Sequence, residues 1–264
     1  MNIQHVEARD LGDAWFQTLY RILEHGTVFK IDRGSYAGQK RLEFDWITIH
    51  IKNPGTRPLL PQIESHYNIP NPVADDYLDE YLPYLMTGEL KEGESYTYGQ
   101  RMTNVLTWDV WSTTYDSKEN KDILIQEHEI WEKIYNDGEI LNQIELLIWT
   151  YKNKGHRNNQ MILQVGQPTD MLLKDPPCLR HIDTRIQDGK LHFYPYFRSW
   201  DLWGGFPANL GGIQLMKEYI AAEIGVEDGE IIASSKGLHL YDYSFDLAKV
   251  LRMKEDCVLK EENK

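Results

Sequence analysis

The chain is expected to fold as an α+β protein with a mixed sheet and several long helices. Three features point there: a helical run at 11–25, a hairpin at 181–197, and a second helical run at about 211–224 with strand-like segments after it. In 11–25, LGDAWFQTLYRILEH, the residues Trp15, Phe16, Leu19, Tyr20, Ile22 and Leu23 recur at helical spacing and Gly26 follows as a stop. The runs 181–187 and 190–197 flank Asp188-Gly189, the strongest short signal for a two-residue hairpin turn. In 211–224, Ile213, Met216, Ile220 and Ile224 share one face and Gly225 ends the helix.

The other elements are read by the same periods. The run 42–51, LEFDWITIHI, alternates as one strand. The stretch 74–87 reads as a helix with an irregularity at Pro83. Two helices, 121–136 and 139–151, are separated by Asp137-Gly138, and 159–166 is expected as a buried strand. A Gly- and Trp-rich turn spans 200–208, and 229–234 and 238–243 are strand-like.

The 264 residues, 41% hydrophobic and 26% charged, suffice for one large domain over 1–264. No segment approaches the roughly 18 uninterrupted apolar residues of a membrane helix, and the opening MNIQHVEARD has no secretory pattern. A soluble, cytoplasmic protein is expected. A net charge of −13 argues against nucleic-acid backbone binding, which needs clustered Lys and Arg. It leaves room for a mononucleotide, because one phosphate needs only a few arginines. The nine histidines and two cysteines show no metal-ligand spacing, so no metal is expected. In that compartment Cys178 and Cys257 are expected as free thiols.

Four segments carry the chemistry: DPPC (175–178), FRSW with Asp201, GGFPANLGG (204–212) and GLHLY (237–241). In this order and at these separations they resemble the thymidylate synthase family, with wording nearest its archaeal-type branch. The resemblance implies a thymidylate-synthase-like fold, a large mixed sheet flanked by helices, and a homodimer formed through the sheet. It implies conversion of dUMP to dTMP. The carrier is 5,10-methylenetetrahydrofolate or methylene-tetrahydromethanopterin, the source of the one-carbon unit and the hydride.

The residue chemistry agrees. Pyrimidine C5 is a poor nucleophile until a group adds at C6, and a thiolate suits that reversible addition. Cys178 follows two prolines that restrict the backbone. Arg198, across the hairpin, is suited to grip a phosphate bidentately and to lower the thiol pKa. By resemblance Ser199, Arg33 and Arg157 join the phosphate site, Arg157 from the partner subunit, though Asn158 stands where many members have a second arginine.

Asn209 is the base reader by resemblance, since its amide meets both N3–H and O4 of uracil. The alternative is a helix N-cap, a role Asn fills well. His239 and Tyr241 alternate on a strand and share a face; the resemblance gives them the sugar 3′-hydroxyl, the alternative being a core pair. Glu80 is the family's water-organising glutamate, the alternative a solvated acidic face, and Tyr98 its proton shuttle near C5. Asp201 is assigned to the pterin, with Trp203 and Gly205 lining its pocket; core packing is the alternative for Trp203.

The chain departs from the family at Leu179, where His is common, and in its charged end KEDCVLKEENK, where an apolar tail usually closes the site. Water reaching a methylene intermediate gives a hydroxymethyl product. A CMP, dCMP or UMP 5-hydroxymethylase with the same covalent first half is therefore the alternative enzyme. A catalytically silent nucleotide- or RNA-binding relative is the alternative from another class.

Overall fold

Helix α1 (Leu11–His25) starts where the Asp10 carboxylate accepts from Asp13 N at 2.9 Å, and it stops at Gly26. Its apolar face, including Trp15, Leu19 and Ile22, is wholly buried. The computed structural model describes residues 1–32, 36–106, 135–136, 140–253 and 259–261. Around α1 come β1 (Ile3–Ala8), β2 (Thr27–Lys30), β3 (Lys40–Glu43) and β4 (Trp46–Ile51). Next are α2 (Tyr77–Met86), α3 (Tyr98–Thr103), β5 (Val105–Leu106), β6 (Tyr135–Asn136), β7 (Ile140–Leu141) and α4 (Gln143–Lys154). Then follow β8 (Ile162–Gln164), β9 (Leu179–Gln187), β10 (Lys190–Phe197), β11 (Trp200–Asp201) and α5 (Gly205–Ile224). The chain continues through β12 (Glu227–Ser235), β13 (Leu238–Tyr241), α6 (Phe245–Leu251) and β14 (Lys260–Glu261).

Among the described residues the strands form a six-stranded sheet, β1-β4-β12-β10-β9-β8, and a five-stranded sheet, β11-β13-β3-β2-β14. A three-stranded sheet, β5-β7-β6, lies beside them. Parallel pairs (β1 with β4, β10 with β12) and antiparallel ones (β9 with β10, β4 with β12) coexist in the larger sheet, so the mixed α+β class expected from the sequence is the observed one. One face of that sheet carries Ile47, Ile49, Phe193, Phe197 and Ile231 into a core shared with Trp15 and Leu19 of α1, Tyr151 of α4, and Ile213 and Met216 of α5. No helix of the described residues is long and apolar enough to cross a membrane.

Three two-residue crossovers tie the two large sheets together: Phe44-Asp45, Arg198-Ser199 and Lys236-Gly237. They meet in space. Gly237 N donates to Phe44 O (3.1 Å), Phe44 N to Leu238 O (3.0 Å) and Trp200 N to Gly237 O (3.3 Å). The single strand expected over 42–51 is therefore two, β3 and β4, in different sheets, because the chain turns at Phe44-Asp45.

The hairpin is as expected: Asp188 (φ 52°) and Gly189 (φ 74°) both take the left-handed region that the turn requires. Helix α5 differs. It begins at Gly205, not near 211, and Pro207 and Gly211-Gly212 lie inside it. Pro207 sits in the first turn, where its missing N–H costs nothing. A Cβ on Gly212 would come within 2.5 Å of the Tyr81 ring, so that glycine lets α2 press against α5.

Three further expectations are corrected. The helix expected from 139 is strand β7 followed by α4, whose Asn142 cap accepts from Ile144 N (3.0 Å) and Glu145 N (3.2 Å). Most of the helix expected over 121–136, and Cys257, lie outside the described residues, while 135–136 is strand β6. The strand expected over 159–166 is the short edge strand β8, with Leu163 inward and Ile162 exposed.

Candidate active site

The site starts at Cys178, one residue before β9. Its loop, Asp175-Pro176-Pro177, has carbonyls free to accept from elsewhere. Arg198 takes them: Nε donates to Pro177 O at 3.1 Å and Nη2 to Pro176 O, while Arg198 N donates to Cys178 O at 2.9 Å. Asp175 Oδ1 lies 3.6 Å from Nη2. This leaves Nη1 as the end of the guanidinium with no carbonyl partner among the described residues. Burial pushes the half-buried Cys178 thiol up, Arg198 and Arg180 pull it down, and Asp175 and Asp201 push it up. Burial wins, and the thiol carries its proton at neutral pH.

Beside this loop lies a cavity of about 630 Å³ lined by Tyr77, Glu80, Tyr81, Tyr84, Tyr96, Tyr98, Asp175 and Asn209, among others. Glu80 stands exposed in the first turn of α2. Tyr98 opens α3 behind the Thr97 cap, whose hydroxyl accepts from Gln100 N at 2.8 Å. Its phenol oxygen accepts from Leu179 N at 3.3 Å, directly after the cysteine, and burial holds the phenol well above its usual pKa. Asn209 lies one turn inside α5, which removes the N-cap alternative. Its Oδ1 accepts from Trp200 Nε1 at 3.1 Å and its Nδ2 donates to Tyr81 Oη at 2.6 Å.

The five-stranded sheet approaches the same loop, Asp201 lying close enough to Cys178 to raise its pKa. In register, Asp201 is beside His239, His239 beside Glu43, and Tyr241 beside Arg41. His239 is 2% exposed, and burial lowers its pKa, so the ring is neutral at pH 7. Its Nδ1 lies 2.9 Å from Gly237 O, an acceptor only, so Nδ1 carries the proton and Nε2 presents a bare lone pair. That Nε2 is buried without a partner. Tyr241 meets His239 edge-on at 4.6 Å and stacks on Tyr36 at 4.3 Å.

Tyr98, Glu80 and Asn209 thus line one cavity, with Cys178 and Arg198 on the loop beside it, and Asp201, His239 and Tyr241 line up on one sheet. Ser199 is half-buried in the crossover beside Arg198. The Asp201 carboxylate accepts from Trp203 N (3.2 Å), Gly204 N (3.1 Å) and Gly205 N (2.9 Å), anchoring the start of α5. Trp203 is 8% exposed and packs against Trp15 at 5.4 Å, as its core alternative expected. Arg157 is exposed in the loop after α4, and Arg33 lies outside the described residues. Sequence reasoning missed Arg41, 2.6 Å from Glu43, and Tyr81. The alternation of Arg41 and Glu43 next to an apolar Leu42, and the helical spacing of Tyr77, Tyr81 and Tyr84, were the available signals.

The thymidylate synthase family matches residues 90–258. A putative thymidylate synthase of Methanosarcina acetivorans is 30% identical over 246 residues, 92% of each chain. One of Methanothermobacter thermautotrophicus is 23% identical over 256 residues, 92% of this chain and 96% of its own. In fold, the thermostable thymidylate synthase A of Bacillus subtilis superposes with a TM-score of 0.62 at 17% identity, over 92% of this chain and 84% of that one.

Proposed function

This chain belongs to the thymidylate synthase family, and we propose that it acts as one catalytic unit that methylates dUMP at C5. The supporting observation is the Cys178 loop, clamped by Arg198 next to the cavity that Asn209, Tyr98 and Glu80 line. Cys178 gives up its thiol proton to solvent, a loss that Arg198 favours, Sγ bonds to C6, and the C5–C6 π pair moves onto C5 and O4. The Asn209 amide then donates to O4 and accepts from N3–H. C5 would then take the one-carbon unit as its bond to the carrier nitrogen breaks; the C5 proton leaves through Tyr98 and water ordered by Glu80, a hydride supplied by the carrier would complete the methyl group, and the Sγ–C6 bond breaks to release product. Nη1 of Arg198, with Ser199 and Arg33, receives the phosphate, and the bare Nε2 of His239 accepts from the sugar hydroxyl beside Tyr241.

The co-substrate is a reduced pterin carrier, a folate or a methanopterin, which supplies the one-carbon unit and the hydride when bound. The fit rests on the tyrosine faces of α2, where Tyr77 and Tyr81 stack at 5.7 Å and Tyr81 and Tyr84 at 5.8 Å, suited to a flat ring. Asp201 and Gly205 form the neighbouring edge.

We infer further that two copies pair through the outer face of the six-stranded sheet. There Trp46 stacks on Tyr196 at 5.7 Å, with His181 at 5.5 Å from the same ring, an aromatic patch on a face that also carries Thr48, Ser234 and the His50–Glu230 pair. The test is to incubate the protein with dUMP, UMP, dCMP or CMP and each carrier, and to weigh the products. A methyl gain on dUMP is expected. A hydroxymethyl gain would make the chain the alternative enzyme, and no gain on any nucleotide would overturn both.

A further inference from the structure

We propose that Trp200 is a positioning residue that locks the amide of Asn209 in one orientation and so makes the site accept uracil and refuse cytosine. The proposal rests on the nucleotide reading above and adds to it the residue that enforces base choice.

An asparagine alone cannot choose between the two bases. Uracil presents the N3–H donor beside the O4 acceptor; cytosine presents an N3 acceptor beside the N4 amino donor. Turning the amide by 180° exchanges its own acceptor and donor ends. A freely turning Asn209 therefore makes two hydrogen bonds to either base. Selectivity needs something that forbids the turn.

Trp200 has the required chemistry. An indole N–H donates and never accepts, and it lies 3.1 Å from Asn209 Oδ1. Turning the amide would set the Nδ2 hydrogens against that N–H and leave the buried indole without an acceptor. The indole cannot move aside. It is 1% exposed and lies between Phe197 (centroids 4.0 Å apart, planes within 6°) and Phe206 (4.5 Å, 25°). Tyr81, the other partner, does not discriminate, because a phenol donates or accepts with equal ease and satisfies either amide orientation. One neighbour locks the amide and the other is neutral, which supplies an internal control.

The test measures Kd for dUMP, UMP, dCMP and CMP on the full chain by titration calorimetry. Trp200→Phe keeps a stacked ring and removes the donor. Trp200→benzothienylalanine keeps the bicyclic shape and replaces only the N–H by sulfur, so it carries the test if the phenylalanine variant does not fold. Loss of one buried hydrogen bond typically changes affinity about tenfold to a hundredfold. The uracil-to-cytosine preference is expected to fall by about that factor in the sulfur isostere, with cytosine nucleotides binding more tightly than to the unaltered chain. Tyr81→Phe is expected to weaken both bases alike and keep their ratio. An unchanged ratio in the folded isostere would overturn the lock and leave Trp200 a packing residue. If the unaltered chain binds no pyrimidine nucleotide, the nucleotide reading itself falls, and the lock with it.

Discussion

At Cys178, burial raises the thiol pKa and the guanidinium of Arg198 opposes it. Alkylation of this thiol by iodoacetamide should therefore rise with pH through a midpoint above the ordinary thiol value of about 8.5. Because Arg198 favours the thiolate, Arg198→Ala should move that midpoint higher still; a downward move would contradict the assigned electrostatics. Asn209→Asp is the complementary change. Trp200 N–H can donate to one carboxylate oxygen and Tyr81 O–H to the other, so the fold tolerates it. The carboxylate cannot donate to O4 but accepts from an N4 amino group. Uracil nucleotides should lose on the order of 1–3 kcal/mol of binding while cytosine nucleotides gain, read as Kd values for both. Cys178, Arg198 and Asn209 could be singled out in the sequence because they stand in ordered motifs. Trp200 and Tyr81 could not, since a donor-only contact to Oδ1 exists only once the helix has brought position 209 over the indole.

Among the elements, legibility followed local chemistry. The bounds of α1 and the Asp188-Gly189 hairpin were readable because a cap, an apolar stripe and two left-handed residues act within a few positions. Helix α5 was read six residues short because Gly205, Pro207, Gly211 and Gly212 look like breakers, and only contact with α2 makes small residues favourable there. The division of 42–51 into β3 and β4 was likewise invisible, being set by the partners each half finds in different sheets. The start of α4 was missed although Asn142 carries its signal. Asn142 satisfies two amides of the first turn, so Asn142→Ala should cost about 1 kcal/mol. Urea denaturation would measure this as a lower midpoint with an unchanged slope.

For the whole molecule, the inferred dimer makes a strong demand. If Arg157 serves the partner's phosphate site, then Cys178→Ala and Arg157→Ala are each inactive alone. Mixed and allowed to exchange subunits, they should recover about a quarter of full activity, because random pairing gives half mixed dimers with one intact site of two. Labelled subunits would verify exchange, and exchange without recovery would remove Arg157 from a shared site. The junction of the three crossovers bears on motion in a different way. Phe44, Trp200 and Gly237 are laced together where the two sheets meet, and Arg198, which clamps the Cys178 loop, leaves from the same point. Such a joint is expected to act as a fulcrum, with the travel of the sheets growing towards β1 and β14 and least at the pivot. Cys178 is thereby placed beside the most tightly hydrogen-bonded point between the two sheets. Hydrogen exchange should record this as a gradient, slowest at the amides of Phe44, Trp200 and Gly237 and fastest along the outer strands of both sheets.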